Sequence, residues 1–259
     1  MDRQELSDAV WERIAPHLPG KATDPGRTGR DNRLFVEAIL WLARSGARWR
    51  VLQNEFGRWH TVYQRFNRWC RSGVWENFFK ALNDDADFEY ILVDRTIVRA
   101  HQQSAGGPKK AIDSKIGLKN HALGRSKGGL STKVQAATDA LGNPVRFILT
   151  GGERNDITQI ETLLHGLRAG HVLADKGYDG RRAMDAIAAS GAKPVVPAWT
   201  ITAKRRTFGA IIYKDRNLIE RFFSKIKHFG RIATRYDKLA RNYAGFVNFV
   251  AAIKCCLCM

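Results

Sequence analysis

The chain has 259 residues, 44% of them hydrophobic, and carries 43 Lys and Arg against 25 Asp and Glu, a formal net charge of +18. That apolar share is ordinary for a globular protein and allows a sizeable core. No apolar run reaches the roughly 18 residues of a membrane span, and the charged start MDRQELSDAVWERI lacks the apolar stretch of a signal peptide. Three of the four cysteines crowd the end (Cys255, Cys256, Cys258) while Cys70 stands alone. That is neither a disulfide framework nor a metal-binding spacing, so reduced cytosolic thiols are expected.

The positive charge is unevenly spread. Residues 1–85 hold 14 basic and 11 acidic residues, whereas 95–133 hold nine and one, and 203–241 hold twelve and three. A concentrated positive field is the footprint of a polyanion, nucleic acid before anionic membrane.

Six of the seven tryptophans lie in the first 75 residues (Trp11, Trp41, Trp49, Trp59, Trp69, Trp75), which marks a separate all-α module over 1–85. Residues 6–18 read as a short helix ended by Pro19-Gly20, and KATDPGRTGR as a loop. Asp31 is the expected N-cap of the next helix, stopped by Gly46. Gly57 then divides a short helix from a longer one on which Val62, Phe66 and Trp69 form the apolar stripe. His60, Gln64, Arg68 and Arg71 fall on another face. Two helices about a tight turn, the second presenting polar side chains, make a helix-turn-helix pattern suited to a DNA groove; a helical bundle with a solvated polar face shows the same pattern.

After the acidic linker NDDADFE the rhythm changes. EYILVDRTIVRAH, STKVQAATD, PVRFILT, HVLAD and KPVVPAW read as five strands. DITQIETLLHGL reads as a helix capped by Asp156 with Gln159 completing a capping box. DGRRAMDAIAASG and YKDRNLIERFFSKIK read as two more helices. The order β-β-β-α-β-α-β-α predicts an α/β domain over 86–259, a mixed five-stranded sheet flanked by helices. Residues 102–128 form a long basic loop that includes Lys109, Lys110, Arg125 and Lys127.

Three carboxylates stand out. Asp94 sits mid-strand between apolar residues, where a charge needs an ion pair, hydrogen bonds or a metal. Asp175 ends an apolar strand at the carboxyl edge where open α/β sheets bind ligands, though a strand-end cap would look the same. Glu220 shares a helix face with Tyr213, Arg216 and Lys227, whose offsets of 3, 7 and 14 residues fall within about 60° at about 100° per residue. An ordinary surface ion pair has this spacing too. Three carboxylates from two strands and a helix suit hard divalent ions, and a pair of such ions promotes phosphodiester displacement.

Tyr213-x2-Arg216-x3-Glu220-x6-Lys227, Asp94 in VDRT, Asp175 in ADKGYD and the stretch GRIATRYDKL together resemble the DDE transposases of bacterial insertion sequences, specifically the Y-R-E-K signature group, over residues 5–250 or so. The resemblance implies an RNase H-like domain preceded by a helical module that recognises terminal repeats. It implies that Asp94, Asp175 and Glu220 ligate two Mg²⁺, with Mn²⁺ able to substitute. It assigns Tyr213, Arg216 and Lys227 to phosphates and end nucleotides. Expected partners are double-stranded DNA, both inverted repeats and target, and a second copy of the chain in the synaptic complex; the expected location is the bacterial cytoplasm, at the nucleoid. An RNase H-like nuclease without strand transfer, or an inactive DNA-binding relative, shares these motifs. Arg95 stands where the family usually has Ser or Gly; on a strand it points away from the face of Asp94.

Overall fold

A computed structural model describes residues 6–21, 23–24, 31–83, 86–105, 121–198 and 209–257. Packing divides the chain into two compact units. The first comprises residues 1–84, 101–106 and 226–259, and the second 85–100 and 107–225. The linear division at 85–86 is thereby modified, because residues 226–259 group with the N-terminal helices.

In the first unit the helices Asp8–Ile14, Asn32–Ser45, Trp59–Arg71 and Val74–Ala81 are joined by Gly230–Ala233 and Ala240–Leu257. Asp31 caps the second of these, its carboxylate accepting from the Leu34 amide at 2.9 Å. Gly46 ends it in the left-handed region at φ 66°, with the Gly230 backbone so close that an added Cβ would lie 3.1 Å from its carbonyl carbon. Only glycine meets both demands without strain. The expected short helix before Gly57 is instead two 3₁₀ turns, Trp49–Val51 and Asn54–Phe56, because the residues between them, Leu52 and Gln53, are extended. The core is aromatic: the Trp75 and Phe249 rings lie 5.1 Å apart, and Phe66 and Phe246 4.4 Å apart. Residues near both ends of the chain thus build one core.

The second unit is a mixed sheet. Its strands are β1 (Tyr90–Ala100), β2 (Gly124–Ser126), β3 (Gly129–Thr138), β4 (Pro144–Gly151), β5 (His171–Ala174) and β6 (Lys193–Val195). β3 pairs antiparallel with β1 and β4, while β5 runs parallel to both β1 and β6. The order β4-β3-β1-β5-β6 gives the five expected strands, an RNase H-like arrangement of mixed sheet and flanking helices. Strand β2 is an addition inside the basic loop; Gly129, at φ 97°, turns it back onto β3.

One face of β1 (Ile91, Val93) packs with Ala137 of β3 and Tyr178 against the helices Ile160–Leu164 and Arg181–Ala189. On the other, Asp94 lies opposite Ala136 of β3 and Phe147 of β4 lies opposite the same alanine. Phe147 stacks on Phe222, from the helix Asn217–Lys227, with ring centroids 5.9 Å apart.

The expected 12-residue helix from Asp156 is shorter, a 3₁₀ turn Asp156–Gln159 followed by Ile160–Leu164, and the capping box does not form. Asn155, not Asp156, is the cap, accepting from the Ile157 amide at 3.2 Å, and Gln159 donates to the Thr158 hydroxyl. Asp156 is buried and taken up elsewhere. Arg146 of β4 closes the helix end by donating to the carbonyls of Thr162, Leu163 and His165.

Candidate active site

Asp94, Asp175, Tyr213, Arg216 and Glu220 all belong to the second unit. Asp94 is nearly covered, at 9% exposure. Its Oδ1 accepts from the Arg95 amide at 2.7 Å and its Oδ2 from Arg216 Nη1 at 2.8 Å. The second guanidinium nitrogen of Arg216 donates to Glu220 Oε1, so one arginine spans a strand carboxylate and a helix carboxylate. Burial pushes the Asp94 carboxyl above its usual range; the Arg95 amide and Arg216 pull it down, and Asp175 and Glu220 push it up again. That influence places Asp175 and Glu220 in the electrostatic surroundings of Asp94.

Asp175 follows β5 and its side chain accepts from the Gly177 amide, capping the 3₁₀ turn Lys176–Tyr178. Both bland readings of the aspartates therefore hold geometrically: Asp94 has an ion pair and Asp175 caps a turn. Neither use engages every carboxylate oxygen lone pair.

The expected long final helix has three segments, α-helix Ala210–Tyr213, 3₁₀ turn Lys214–Arg216 and α-helix Asn217–Lys227. The tighter turn matters, because residues three apart eclipse in a 3₁₀ helix. It sets the Arg216 guanidinium 5.7 Å from the centre of the Tyr213 ring, a cation–π contact. Burial lowers the affinity of Arg216 for its proton, but Asp94, Tyr213 and Glu220 outweigh that and leave it raised. Ile219, Phe222, Phe223 and Ile226 are the buried stripe of the same helix, while Glu220 is exposed. Lys227 is exposed at the helix end, among the residues of the first unit.

Among the other expected contacts, His60, Gln64, Arg68 and Arg71 are all exposed on Trp59–Arg71, with Val62, Phe66 and Trp69 buried. Arg125 and Lys127 are exposed at the β2–β3 turn. Lys109 and Lys110 lie outside the described residues.

Residues 86–253 match the family described as Transposase DDE domain, and residues 6–79 match "Putative transposase of IS4/5 family". The chain belongs to the DDE transposases. Similar relatives include a "Putative transposase for insertion sequence element IS6501" from Brucella ovis, 37% identical over 48% of this chain and 97% of the relative. Another is the "Putative transposase for insertion sequence element IS402" from Burkholderia cepacia, 32% identical over 61% of this chain and 81% of the relative. A Sinorhizobium fredii protein, "Uncharacterized protein y4sN", is 43% identical over 41% of this chain and 85% of its own length. No solved structure matches the chain.

As a DDE transposase the protein works on DNA, in a family whose chemistry uses divalent metal. Among the described residues no three carboxylate, imidazole or thiol groups close around one point as a ready-made cage. The donor chemistry nevertheless fits: all three candidate ligands are hard oxygen donors, and a cation, the Arg216 guanidinium, already binds Asp94 and Glu220 together. Among the described residues no helix of this transposase is long and apolar enough to cross a membrane.

Sequence reasoning missed the partner of Arg95. Its side chain turns to the other sheet face and donates to Asp156, which also pairs with Lys133 Nζ at 3.1 Å. A signal was present: Lys133 lies mid-strand in STKVQ, and a buried ammonium requires a counter-charge.

Proposed function

We propose that this transposase cuts phosphodiester bonds at the ends of an insertion sequence and joins the freed 3′-hydroxyl to target DNA. Asp94, Asp175 and Glu220 would hold two Mg²⁺, for which Mn²⁺ could substitute. The observation that supports this most is Arg216 gripping Asp94 and Glu220 at once, with Asp175 inside the same electrostatic neighbourhood.

When bound, such ions act as Lewis acids that generate a nucleophile from water or a 3′-hydroxyl and stabilise the leaving oxygen. The protein's own groups do the rest. The carboxylates present anionic oxygens from a rigid strand, a strand end and a helix, so little reorganisation accompanies the reaction. Arg216 has a planar fork that suits phosphate as well as carboxylate. Were metal to neutralise the carboxylates that it now holds, its fork would be available to a phosphate, with the Tyr213 ring centre 5.7 Å from the guanidinium to orient it. Lys227 contacts flanking phosphates. His60, Gln64, Arg68 and Arg71 read the terminal repeat, and two ends held together require at least two copies of the chain.

A labelled repeat end incubated with plasmid and Mg²⁺ is expected to yield a covalently joined product. Cleaved ends without joined product would make the protein a nuclease instead. DNA affinity is expected to fall steeply with salt. For six to ten phosphate contacts the loss is roughly 10³- to 10⁵-fold between 50 and 200 mM, measurable by fluorescence anisotropy. A flat response would remove the basic segments from the DNA surface.

A further inference from the structure

The sheet face opposite Arg216 and Glu220 carries a buried polar cluster that the proposed reaction does not use. Asp156, only 7% exposed, takes Lys133 Nζ on Oδ1 at 3.1 Å and the Arg95 Nε–H on Oδ2. Lys133 also donates to the Arg154 carbonyl, which pins the segment leading into Asp156. Arg95 is on β1 and lies opposite Gln135, while Lys133 is on β3 and lies opposite Ile97. One carboxylate thus ties two neighbouring strands together next to Asp94. Tyr178, at the end of the turn that Asp175 caps, is 2% exposed, and its hydroxyl has no hydrogen-bond partner. Its charged neighbours are Asp156, Asp94, Arg95 and Asp175.

The cluster reaches Asp94 through a single peptide. Arg95 uses its side chain on Asp156 and its backbone amide on Asp94 Oδ1, at 2.7 Å, which leaves Oδ2 facing Arg216. The β1–β3 ladder sets the course of that peptide, and the Arg95 side chain held on Asp156 braces it where its amide meets Asp94 Oδ1. We propose that Asp156 is a positioning residue that, through Arg95, selects the Asp94 oxygen offered to a divalent ion. This rests on the metal-site reading above. It also gives the arginine at position 95 a purpose: in this chain the residue after the first aspartate is a lever, anchored on the far face. Groups that orient metal-bound carboxylates typically alter metal affinity or activity by about 10- to 100-fold when replaced.

The test measures Mn²⁺ binding to the full chain without DNA, by loss of the free-ion electron paramagnetic resonance signal. Asp94→Asn is expected to abolish tight binding; if it binds as the wild type does, the metal-site reading falls and this proposal with it. With that control in place, Asp156→Asn is expected to weaken Mn²⁺ binding by about 10- to 100-fold. Arg95→Met keeps the amide, removes the half-exposed anchor, and is expected to weaken binding to the same degree. If Asp156→Asn does not fold, Arg95→Met decides alone. The double variant is expected to lose no more than either single one, because both act through one contact; a merely structural role would give additive losses. Wild-type Mn²⁺ affinity in Arg95→Met, or additive losses in the double variant, would overturn the proposal.

Discussion

Glu220→Gln is expected to abolish metal-dependent cleavage of insertion-sequence ends while leaving DNA binding and stability close to wild type. The amide keeps the shape of the side chain and removes its charge, so the helix loses its anionic oxygen donor. A metal contributes several kcal/mol of charge stabilisation in such a reaction. At 1.36 kcal/mol per decade that corresponds to a rate loss of about 10³-fold or more. Glu220 is exposed, so the folding cost is small, within about 0.5 kcal/mol. Arg216 keeps its bond to Asp94 and remains available to phosphate. Single-turnover cleavage of a labelled end, alongside anisotropy for binding and a melting curve, checks all three parts. Cleavage within tenfold of wild type would remove Glu220 from the site.

The largest stability effect is expected in the first unit. Arg231, from GRIATRYDKL, is 2% exposed in the first unit. It donates to both carboxylate oxygens of Asp237 at 3.2 and 3.3 Å and to the Ala47 carbonyl at 2.6 Å. Its guanidinium lies 5.1 Å from the Trp49 ring centre and 4.8 Å from that of Phe246. Arg231→Met leaves Asp237 buried without its counter-charge, which costs about 3–5 kcal/mol. Arg231→Met with Asp237→Asn is expected to cost clearly less than the sum of the single losses, since the second change removes the stranded charge. Urea unfolding measures both. A loss under about 1 kcal/mol in the single variant would show that water reaches Asp237 and that the pair is not a buried anchor.

Much of the second unit was legible because its signals are local. A β-branched apolar run gives β1, alternation gives β3, and the helix pattern of Ile219, Phe222, Phe223 and Ile226 gives a buried stripe, from which Phe222 meets Phe147 of the sheet. The Asp31 cap and the Gly46 stop follow from backbone chemistry within a few residues. The misreadings come from partners distant in sequence. Asp156 has the spacing of a helix cap, but Lys133, 23 positions earlier, and Arg95, 61 positions earlier, claim its oxygens. Asn155 takes the cap in its place. Periodicity also assumes one helix type, so it did not register the 3₁₀ turn that brings Arg216 over Tyr213. No short-range pattern indicates that Phe246 and Phe249 complete a core begun at Phe35.

That last arrangement bears on how the protein is made. Helices 32–45, 59–71 and 74–81 leave the ribosome well before Ala240–Leu257, which carries aromatic side chains that they bury against. Until then Trp49, Phe66 and Trp75 lack their final neighbours. A polypeptide terminated early, by a nonsense codon or a frameshift upstream of residue 240, carries the exposed His60, Gln64, Arg68 and Arg71 on an unfinished scaffold. Decayed copies of such a gene therefore yield chains poorly suited to compete with the intact protein for its sites.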